Sequence, residues 1–260
     1  MKTTISCLIA PLLVCLGLKA QTDISIGETR TFYSTSLGEN RQINVYNPHA
    51  DSSAAQQVIY LLDGSRHEDF LHVVGLVQFM EMMYGMPPTM VVGIENVDRK
   101  RDFSFPTTIE ADKVKFPTTG GSEPFRSFLI NELVPYVDEH FPNSGRRILI
   151  GQSLGGLLAT EVLFNPSPFD QFIIVSPSLW WDAQSLLERC PLSGDKTRIF
   201  VLVGNEGRVM ERDAKHLFKL VKKHRLAEVV SFEKLNKENH ATILHQALYQ
   251  VFSEWYPSPY

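Results

Sequence analysis

The chain contains 260 residues, of which 43% are hydrophobic and 21% are charged. This composition is typical of a globular protein and excludes disordered, collagenous and coiled-coil classes. The formal net charge is -4 at pH 7, which argues against nucleic acid as a partner because phosphate binding requires a surplus of positive charge. The length allows one large α/β unit.

Residues 1–20 have the pattern of an export signal. Lys2 supplies a positive charge, residues 5–18 form an almost uninterrupted apolar run, and Ala20 is a small residue at a suitable cleavage position. The run is shorter than the roughly 20 apolar residues that a transmembrane helix needs. We therefore expect residues 21–260 to form one exported domain, periplasmic or extracellular, without a membrane span.

The three cysteines support this division of the chain. Cleavage after Ala20 would remove Cys7 and Cys15, so that Cys190 would have no intramolecular disulfide partner. Lipoprotein processing at Cys15 is a weaker alternative, because Val14 is not a small residue and the sequence beyond Cys15 stays apolar.

The rest of the chain alternates strand and helix patterns. Residues 30–35 and 42–46, joined by Gly38-Glu39-Asn40, predict an N-terminal antiparallel hairpin. Six later segments are short and apolar on both faces, as parallel strands beneath helices are: residues 58–62, 90–94, 148–150, 172–175, 199–203 and 229–232. Helices are predicted at residues 69–84, 123–140, 154–164, 182–189, 209–224 and 241–255. The pattern predicts a mostly parallel central sheet with helices on both faces.

The connection at residues 96–121 is unusually long and contains the charged run Asp98-Arg99-Lys100-Arg101-Asp102. Connections of this length in compact domains are often functional. A charged, solvated loop is the alternative interpretation.

The sequence Gly151-Gln152-Ser153-Leu154-Gly155 fits the pattern G-x-S-x-G. It follows a predicted buried strand and precedes an apolar helix, which is the setting of a nucleophile elbow. The glycines allow a tight turn that exposes the serine hydroxyl. Ser153 is therefore the predicted nucleophile, with a helix-capping serine as the alternative.

A base for Ser153 is expected further along the chain, because the order in this architecture is nucleophile, acid, histidine. His216 and His224 fall on charged helix surfaces, and His245 lies inside the last helix. His240 follows a strand and a loop and precedes a helix, which would bring it to the carboxyl edge of the sheet. The sequence therefore predicts His240 as the base.

The acid that orients the histidine should follow a strand between these two residues. Glu206 comes directly after the apolar run that ends at Val203-Gly204 and is the preferred candidate. Asp213 and Asp182 are alternatives, as is a dyad without an essential acid.

Acyl transfer also requires two amide donors for the oxyanion. The amide of Leu154 is the first. The second is predicted in the turn after residues 58–62, at Ser65 or alternatively at Arg66.

Six ordered motifs of the sequence resemble the Putative esterase family of α/β-hydrolases, and the siderophore-esterase branch in particular. The motifs are Tyr60 to Gly64, Val91 to Ile94 with Asp98 to Asp102, Gly151 to Gly156, Ser176 to Trp181, Gly204 to Glu206 and Glu238 to Ala241. The resemblance implies an α/β-hydrolase fold, catalytic roles for Ser153, Glu206 and His240, and an oxyanion hole at Ser65 and Leu154.

These features predict an exported serine carboxylesterase that needs neither a metal nor an organic cofactor. Its substrate is expected to be a small-molecule ester of the siderophore type or, alternatively, a feruloyl or acetyl ester on plant polysaccharide. Arg66, Trp180 and Trp181 are predicted to bind the substrate, together with Phe103 and Phe105 as further aromatic candidates. A non-catalytic binding protein on a hydrolase scaffold is the alternative from a different class.

Overall fold

The computed structural model describes residues 23–50 and 55–260, so the predicted export signal and its cleavage position lie outside the described residues. Eight strands form one sheet in the order β1-β2-β4-β3-β5-β6-β7-β8. The strands are β1 (Glu28–Ser34), β2 (Glu39–Tyr46), β3 (Gln57–Leu61), β4 (Thr89–Ile94), β5 (Arg147–Gln152), β6 (Gln171–Val175), β7 (Lys196–Gly204) and β8 (Ala227–Leu235).

The sheet has the predicted mixed character. β1 pairs with β2, and β2 with β4, in antiparallel fashion. The pairs from β4 through β3, β5, β6 and β7 to β8 are all parallel. The prediction that residues 229–232 are buried on both faces is wrong: β8 lies at the edge of the sheet, and its residues are half-buried or exposed.

The helices observed are α1 (Phe70–Met83), α2 (Arg99–Asp102), α3 (Glu110–Lys115), α4 (Ser122–Ser127), α5 (Val134–His140), α6 (Leu154–Leu163), α7 (Arg208–Lys223) and α8 (Ile243–Trp255). The long connection at residues 96–121 therefore contains two short helices, α2 and α3. A π-helical turn, Phe128–Leu133, separates α4 from α5. Pro135 follows this turn and has no N–H to complete the α-helical pattern, which explains the interruption.

The segment predicted as a helix at residues 182–189 is a distorted 3₁₀ segment, Trp181–Arg189. Asp182, Ala183 and Gln184 have φ values of 47°, 53° and 69°. Residues other than glycine rarely adopt this left-handed region, so other contacts must hold the backbone there.

Two apolar layers cover the faces of the sheet. On one face, α1 and α8 pack with side chains such as Val77 and Val251. On the other, α4, α6 and α7 contribute Phe125, Leu157 and Leu217, respectively, to the larger cluster. The predicted mostly parallel sheet with an N-terminal antiparallel hairpin and helices on both faces is confirmed. None of the helices among the described residues is sufficiently long and apolar to cross a bilayer.

A buried ion pair joins the long connection to β2. Arg41 Nη1 lies 2.8 Å from Asp102 Oδ2, and both side chains are fully buried. Arg101 Nη2 donates to Glu39 Oε1 at 2.6 Å. The beginning of the connection is therefore fixed to the antiparallel part of the sheet.

Candidate active site

Ser153 occupies a sharp turn between β5 and α6. Its φ and ψ values are 60° and -120°, a sparsely populated combination that costs free energy and is found where surrounding structure enforces it. A Cβ atom on Gly151 would lie 2.3 Å from the carbonyl oxygen of Gly155. A Cβ atom on Gly156 would lie 2.9 Å from Pro177 Cα. These two glycines therefore allow the close approach of strand and helix that the sequence predicted.

His240 lies in the loop between β8 and α8, beside Ser153. Its Nε2 atom is 2.9 Å from Ser153 Oγ. The side-chain amide of Gln152 donates to the carbonyl oxygen of His240 at 2.5 Å, which ties the histidine loop to the residue before the serine. His216, His224 and His245 make no contact with Ser153; the latter two bind Pro191 and His72, respectively.

Glu206 lies just beyond β7 and contacts the other ring nitrogen of His240. Its Oε2 atom is 2.5 Å from His240 Nδ1. Its Oε1 atom accepts hydrogen bonds from the amide of Gly204, at 2.9 Å, and from the hydroxyl of Ser176. The carboxylate is thus held by three donors, and its side chain is only 3% exposed.

These contacts control the charge of Glu206. Burial alone would raise its pKa, but the hydrogen bonds from His240, Ser176 and Gly204 outweigh burial and hold the pKa below its ordinary value. An ionised carboxylate cannot donate, so His240 Nδ1 carries the hydrogen and Nε2 is free to accept one from Ser153. The Ser153–His240–Glu206 chain is thereby set up for proton transfer away from the serine.

The two alternative carboxylates contact other groups. Asp213 is buried in α7 and pairs with Arg212 at 2.7 Å. Asp182 binds the long connection, through Thr107 and Thr108. Neither carboxylate contacts His240, whereas Glu206 does.

Leu154 follows Ser153 directly at the start of α6, and Ser65 lies in the turn between β3 and α1. Within the part of the chain that the structure describes, neither amide donates to a protein acceptor. Gly64 lies so close to β4 that a Cβ atom would be 2.3 Å from Gly93 Cα. This close approach fixes the backbone that carries the Ser65 amide.

Arg99 is a functional candidate that sequence reasoning missed. It binds Asp63 through two hydrogen bonds, Nε to Oδ1 at 2.6 Å and Nη2 to Oδ2 at 2.8 Å. Asp63 precedes Gly64 and has a φ of 57°, so the arginine holds a strained turn. The charged run was visible in the sequence, but nothing in the sequence indicated which of its members turns inward.

Two cavities meet at Ser153 and His240. The first, of about 660 Å³, is lined by Ser178, Trp180, Asn205, Glu206, Met210, Asn239 and Ala241 in addition to those two residues. The second, of about 410 Å³, is lined by Asp63, Glu68, Asp69, Arg99 and Gln152 together with the same two residues. A substrate could therefore extend on both sides of the serine.

The predicted substrate-binding residues are divided by the structure. Trp180 lines the first cavity. Trp181 is 1% exposed, and its indole N–H donates to the carbonyl oxygen of Phe105 at 2.9 Å; the prediction that it contacts substrate is therefore wrong. Phe103 and Phe105 are buried as well. Arg66 is exposed, donates to His67 and lines neither cavity.

Asp182 holds the long connection against the segment that follows β6. Its Oδ1 atom accepts from Thr107 Oγ1 at 3.0 Å, from the Thr108 amide at 2.6 Å and from Thr108 Oγ1 at 2.9 Å. Ser185 Oγ donates to its Oδ2 atom at 2.7 Å. Burial would raise the pKa of Asp182, but these hydrogen bonds prevail and lower it to about 2. The same contacts hold the left-handed turn at residues 182–184.

The connection also supplies an aromatic residue that was not predicted. The ring of Phe116 lies 6.0 Å from Trp180 and 5.7 Å from Trp181, measured between centroids. Phe116 therefore packs behind the tryptophan that lines the first cavity. We call the segment of residues 103–119 the rim.

The model of the family described as "Putative esterase" matches residues 34–252. The chain belongs to this family. It is 29% identical over 183 residues to the ferri-bacillibactin esterase BesA of Bacillus subtilis, a match that covers 64% of this chain and 63% of the relative. The match thus spans less than two thirds of that protein.

Two solved structures extend the comparison over more of the chain. An IroE-like serine hydrolase from Shewanella oneidensis superposes with a TM-score of 0.79 at 25% identity, covering 88% of this chain and 79% of the other. The BES protein from Bacillus cereus superposes with a TM-score of 0.76 at 28% identity, covering 90% and 96%. This chain is thus similar to siderophore esterases and to a serine hydrolase in fold and in part of its sequence.

Proposed function

We propose that the protein is an exported serine esterase that cleaves siderophore-type esters through an acyl-enzyme on Ser153. The observation that carries the proposal is the Ser153–His240–Glu206 chain, with distances of 2.9 Å and 2.5 Å between its members. Such a chain joins a nucleophile, a base and an orienting acid within hydrogen-bond reach, which is the arrangement that activates a serine.

In the first step, Ser153 Oγ attacks the ester carbonyl and His240 Nε2 takes the hydroxyl proton. The amides of Leu154 and Ser65 donate to the oxyanion that forms. The tetrahedral intermediate then collapses, and His240 returns the proton to the leaving alcohol. Glu206 stabilises the imidazolium while it carries the charge.

In the second step, water attacks the acyl-enzyme. His240 Nε2 accepts a proton from the water and passes it to Ser153 Oγ as the acid leaves. No step uses a metal ion or an organic cofactor.

The siderophore class of substrate is supported by the similarity to the ferri-bacillibactin esterase of Bacillus subtilis. It is also compatible with the two cavities, which together accept a substrate larger than a simple acyl ester. Feruloyl and acetyl esters on polysaccharide are the competing substrates within the same chemistry.

The proposal is tested by labelling with a fluorophosphonate probe and by an ester panel. The panel contains a tricatechol trilactone, methyl ferulate, acetylated xylan and p-nitrophenyl butyrate. We expect labelling and the highest kcat/KM on the trilactone. An unlabelled protein that binds esters without cleaving them would instead be a binding protein, and a preference for ferulate or acetylxylan would overturn the siderophore assignment.

Export is tested separately by sequencing the N-terminus of the secreted or periplasmic protein. Cleavage after Ala20 is the expected result. A retained N-terminus in a cytosolic protein would contradict it.

A further inference from the structure

Two histidines meet across the contact between α1 and α8. His72 Nδ1 lies 3.3 Å from His245 Nδ1, while the centroids of the two rings are 5.4 Å apart. The two nitrogen atoms therefore face each other, because they are much closer together than the ring centres. Neither histidine lines either of the cavities beside Ser153, so the pair is separate from the site described above.

The packing of the two helices fixes where the histidines lie. α1 and α8 share an apolar layer that includes Val77 and Val251. The hydroxyls of Tyr84 and Tyr249 lie 2.7 Å apart elsewhere on the same helix contact. The backbone positions of both histidines are therefore set by contacts that do not involve their imidazole rings.

The separation of the two nitrogen atoms suits two ligands of one metal ion. Imidazole nitrogens bind Zn²⁺ at about 2.0–2.1 Å in tetrahedral geometry, which places two such nitrogens about 3.3–3.4 Å apart. The distance of 3.3 Å between His72 Nδ1 and His245 Nδ1 falls in this range. An ion could therefore bind between the rings without a shift of either helix.

Asp69 contacts the other ring nitrogen of His72. Its Oδ1 atom lies 3.2 Å from His72 Nε2, three residues earlier in the chain. Histidines that bind metal commonly donate their second N–H to a carboxylate, which fixes the tautomer and the orientation of the ring. With the hydrogen on Nε2, the Nδ1 atom of His72 keeps its lone pair towards His245.

His245 is suited to act as the second, neutral ligand. Burial and the neighbouring His72 lower the pKa of His245 below its ordinary value. The imidazole is therefore uncharged at neutral pH, which is the form in which a histidine binds metal.

We propose that His72 and His245 bind a divalent transition-metal ion that links α1 to α8. The ion class is Zn²⁺, Ni²⁺ or Cu²⁺, which imidazole suits, rather than Mg²⁺ or Ca²⁺, which prefer oxygen ligands. Among the described residues, no group of three or more His, Cys, Asp or Glu side chains is placed to hold a metal ion. The site thus has two protein ligands, and water fills the other positions.

The position of the pair gives the ion a structural effect. α1 follows the turn that contains Ser65, and α8 follows the loop that contains His240. A bound ion would therefore connect the helices behind these two residues and stabilise their contact. The inference does not depend on the proposed esterase activity, because metal binding is measured without a substrate.

The test titrates tag-free protein with Zn²⁺ and, separately, with Mg²⁺ by isothermal titration calorimetry at neutral pH. The Tm is measured with and without each ion, and circular dichroism checks folding. The variants are H72Q, H245Q, the double variant H72Q/H245Q, and D69N, which keeps both ligands and removes the carboxylate. H216Q is the matched control, because His216 is an exposed histidine on a different helix, α7.

We expect the wild type and H216Q to bind Zn²⁺ at least about tenfold more tightly than H72Q or H245Q, and D69N to bind it about tenfold more weakly than the wild type. The double variant should lose about as much affinity as either single variant, because one remaining imidazole cannot chelate and the two losses are not additive. Zn²⁺ should raise the Tm of the wild type but not that of the double variant.

Three results would overturn the site. The first is Zn²⁺ binding that is unchanged in both H72Q and H245Q, which would leave the pair as two hydrogen-bonded histidines. The second is an equal loss of Zn²⁺ binding in H216Q, which would indicate non-specific binding to exposed histidines. The third is equally tight binding of Mg²⁺, which would exclude imidazole as the ligand.

Discussion

Different kinds of contact hold the Ser153–His240–Glu206 chain, which lines the first cavity, and the rim at residues 103–119, which packs on Trp180 through Phe116. The first is placed by the ends of strands: Ser153 lies in the turn after β5, and Glu206 lies just beyond β7, where the Gly204 amide and the Ser176 hydroxyl hold its carboxylate. The rim is placed by side chains, chiefly by the carboxylate of Asp182 and the indole of Trp181. The Ser153–His240–Glu206 chain therefore depends on the sheet, whereas the rim depends on a few side chains.

The largest expected effect comes from removing the nucleophile. S153A should lower kcat by at least about a thousandfold and abolish fluorophosphonate labelling, since such losses follow removal of one member of a cooperating set. Thermal unfolding should change little, because only one hydroxyl is lost. Labelling that persists in S153A would place the nucleophile elsewhere.

Replacing Glu206, the acid of the Ser153–His240–Glu206 chain, should cause the next largest loss of activity. E206Q retains the shape of the side chain but weakens stabilisation of the imidazolium, and we expect kcat to fall by about 10²- to 10⁴-fold. D213N is the matched control, because Asp213 is also buried but pairs with Arg212. Equal losses of kcat in the two variants would show that burial of a carboxylate, rather than its contact with His240, matters.

The pH dependence of kcat/KM tests whether Glu206 is ionised in the Ser153–His240–Glu206 chain. The pKa of Glu206 is held below its ordinary value, so this carboxylate does not add a second proton to the acidic limb of the activity profile. Activity should therefore fall as a single-proton step at the acidic end of the kcat/KM profile. A two-proton limb in the wild type would contradict the charge assigned to Glu206.

The smallest catalytic effect is expected from Asp182, which holds the rim through Thr107 and Thr108. D182N should leave kcat/KM for p-nitrophenyl butyrate within about tenfold of the wild type, while it lowers the free energy of unfolding at neutral pH by about 2 kcal/mol. The folded pKa of Asp182 is about 2, below the value of about 3.9 for an unfolded aspartate. Its stabilising contribution is thus complete above about pH 4 and is lost towards pH 2.

Denaturant unfolding of the wild type and D182N between pH 7 and pH 2 measures this contribution. The difference between their unfolding free energies should shrink as the pH falls. A difference that stays constant would assign the loss to packing rather than to charge. If D182N lost as much p-nitrophenyl butyrate hydrolysis as E206Q, Asp182 would matter for catalysis as well as for stability, and this would contradict the prediction.

The same difference in contacts explains which parts of the structure could be predicted from the sequence. Ser153, Glu206 and His240 each follow a recognisable strand, and parallel strands bring their carboxyl ends to one edge. Their proximity could therefore be predicted from strand order alone. The sequence pattern also identified all eight strands described above. Only the burial of β8 was predicted wrongly, because an apolar run does not reveal that a strand lies at the edge.

The rim was not predictable in the same way. The direction of Trp181 depends on the left-handed backbone at Asp182, Ala183 and Gln184, and that backbone depends on hydrogen bonds to Thr107 and Thr108, more than 70 residues earlier. Local propensity carries no information about such contacts. For this reason two adjacent tryptophans with the same apparent role differ: Trp180 lines the cavity and Trp181 supports the core.

The buried pair of Arg41 and Asp102 has a practical consequence for shortening the chain. Deleting the hairpin of β1 and β2 would remove Arg41 from the fully buried Asp102 carboxylate and leave it with Arg101 as its one remaining cationic partner among the described residues. Breaking a buried pair in this manner costs about 3–5 kcal/mol, a large part of the stability of an ordinary domain. The hairpin therefore belongs to the minimal folding unit, and a shortened protein intended for expression should begin before Glu28.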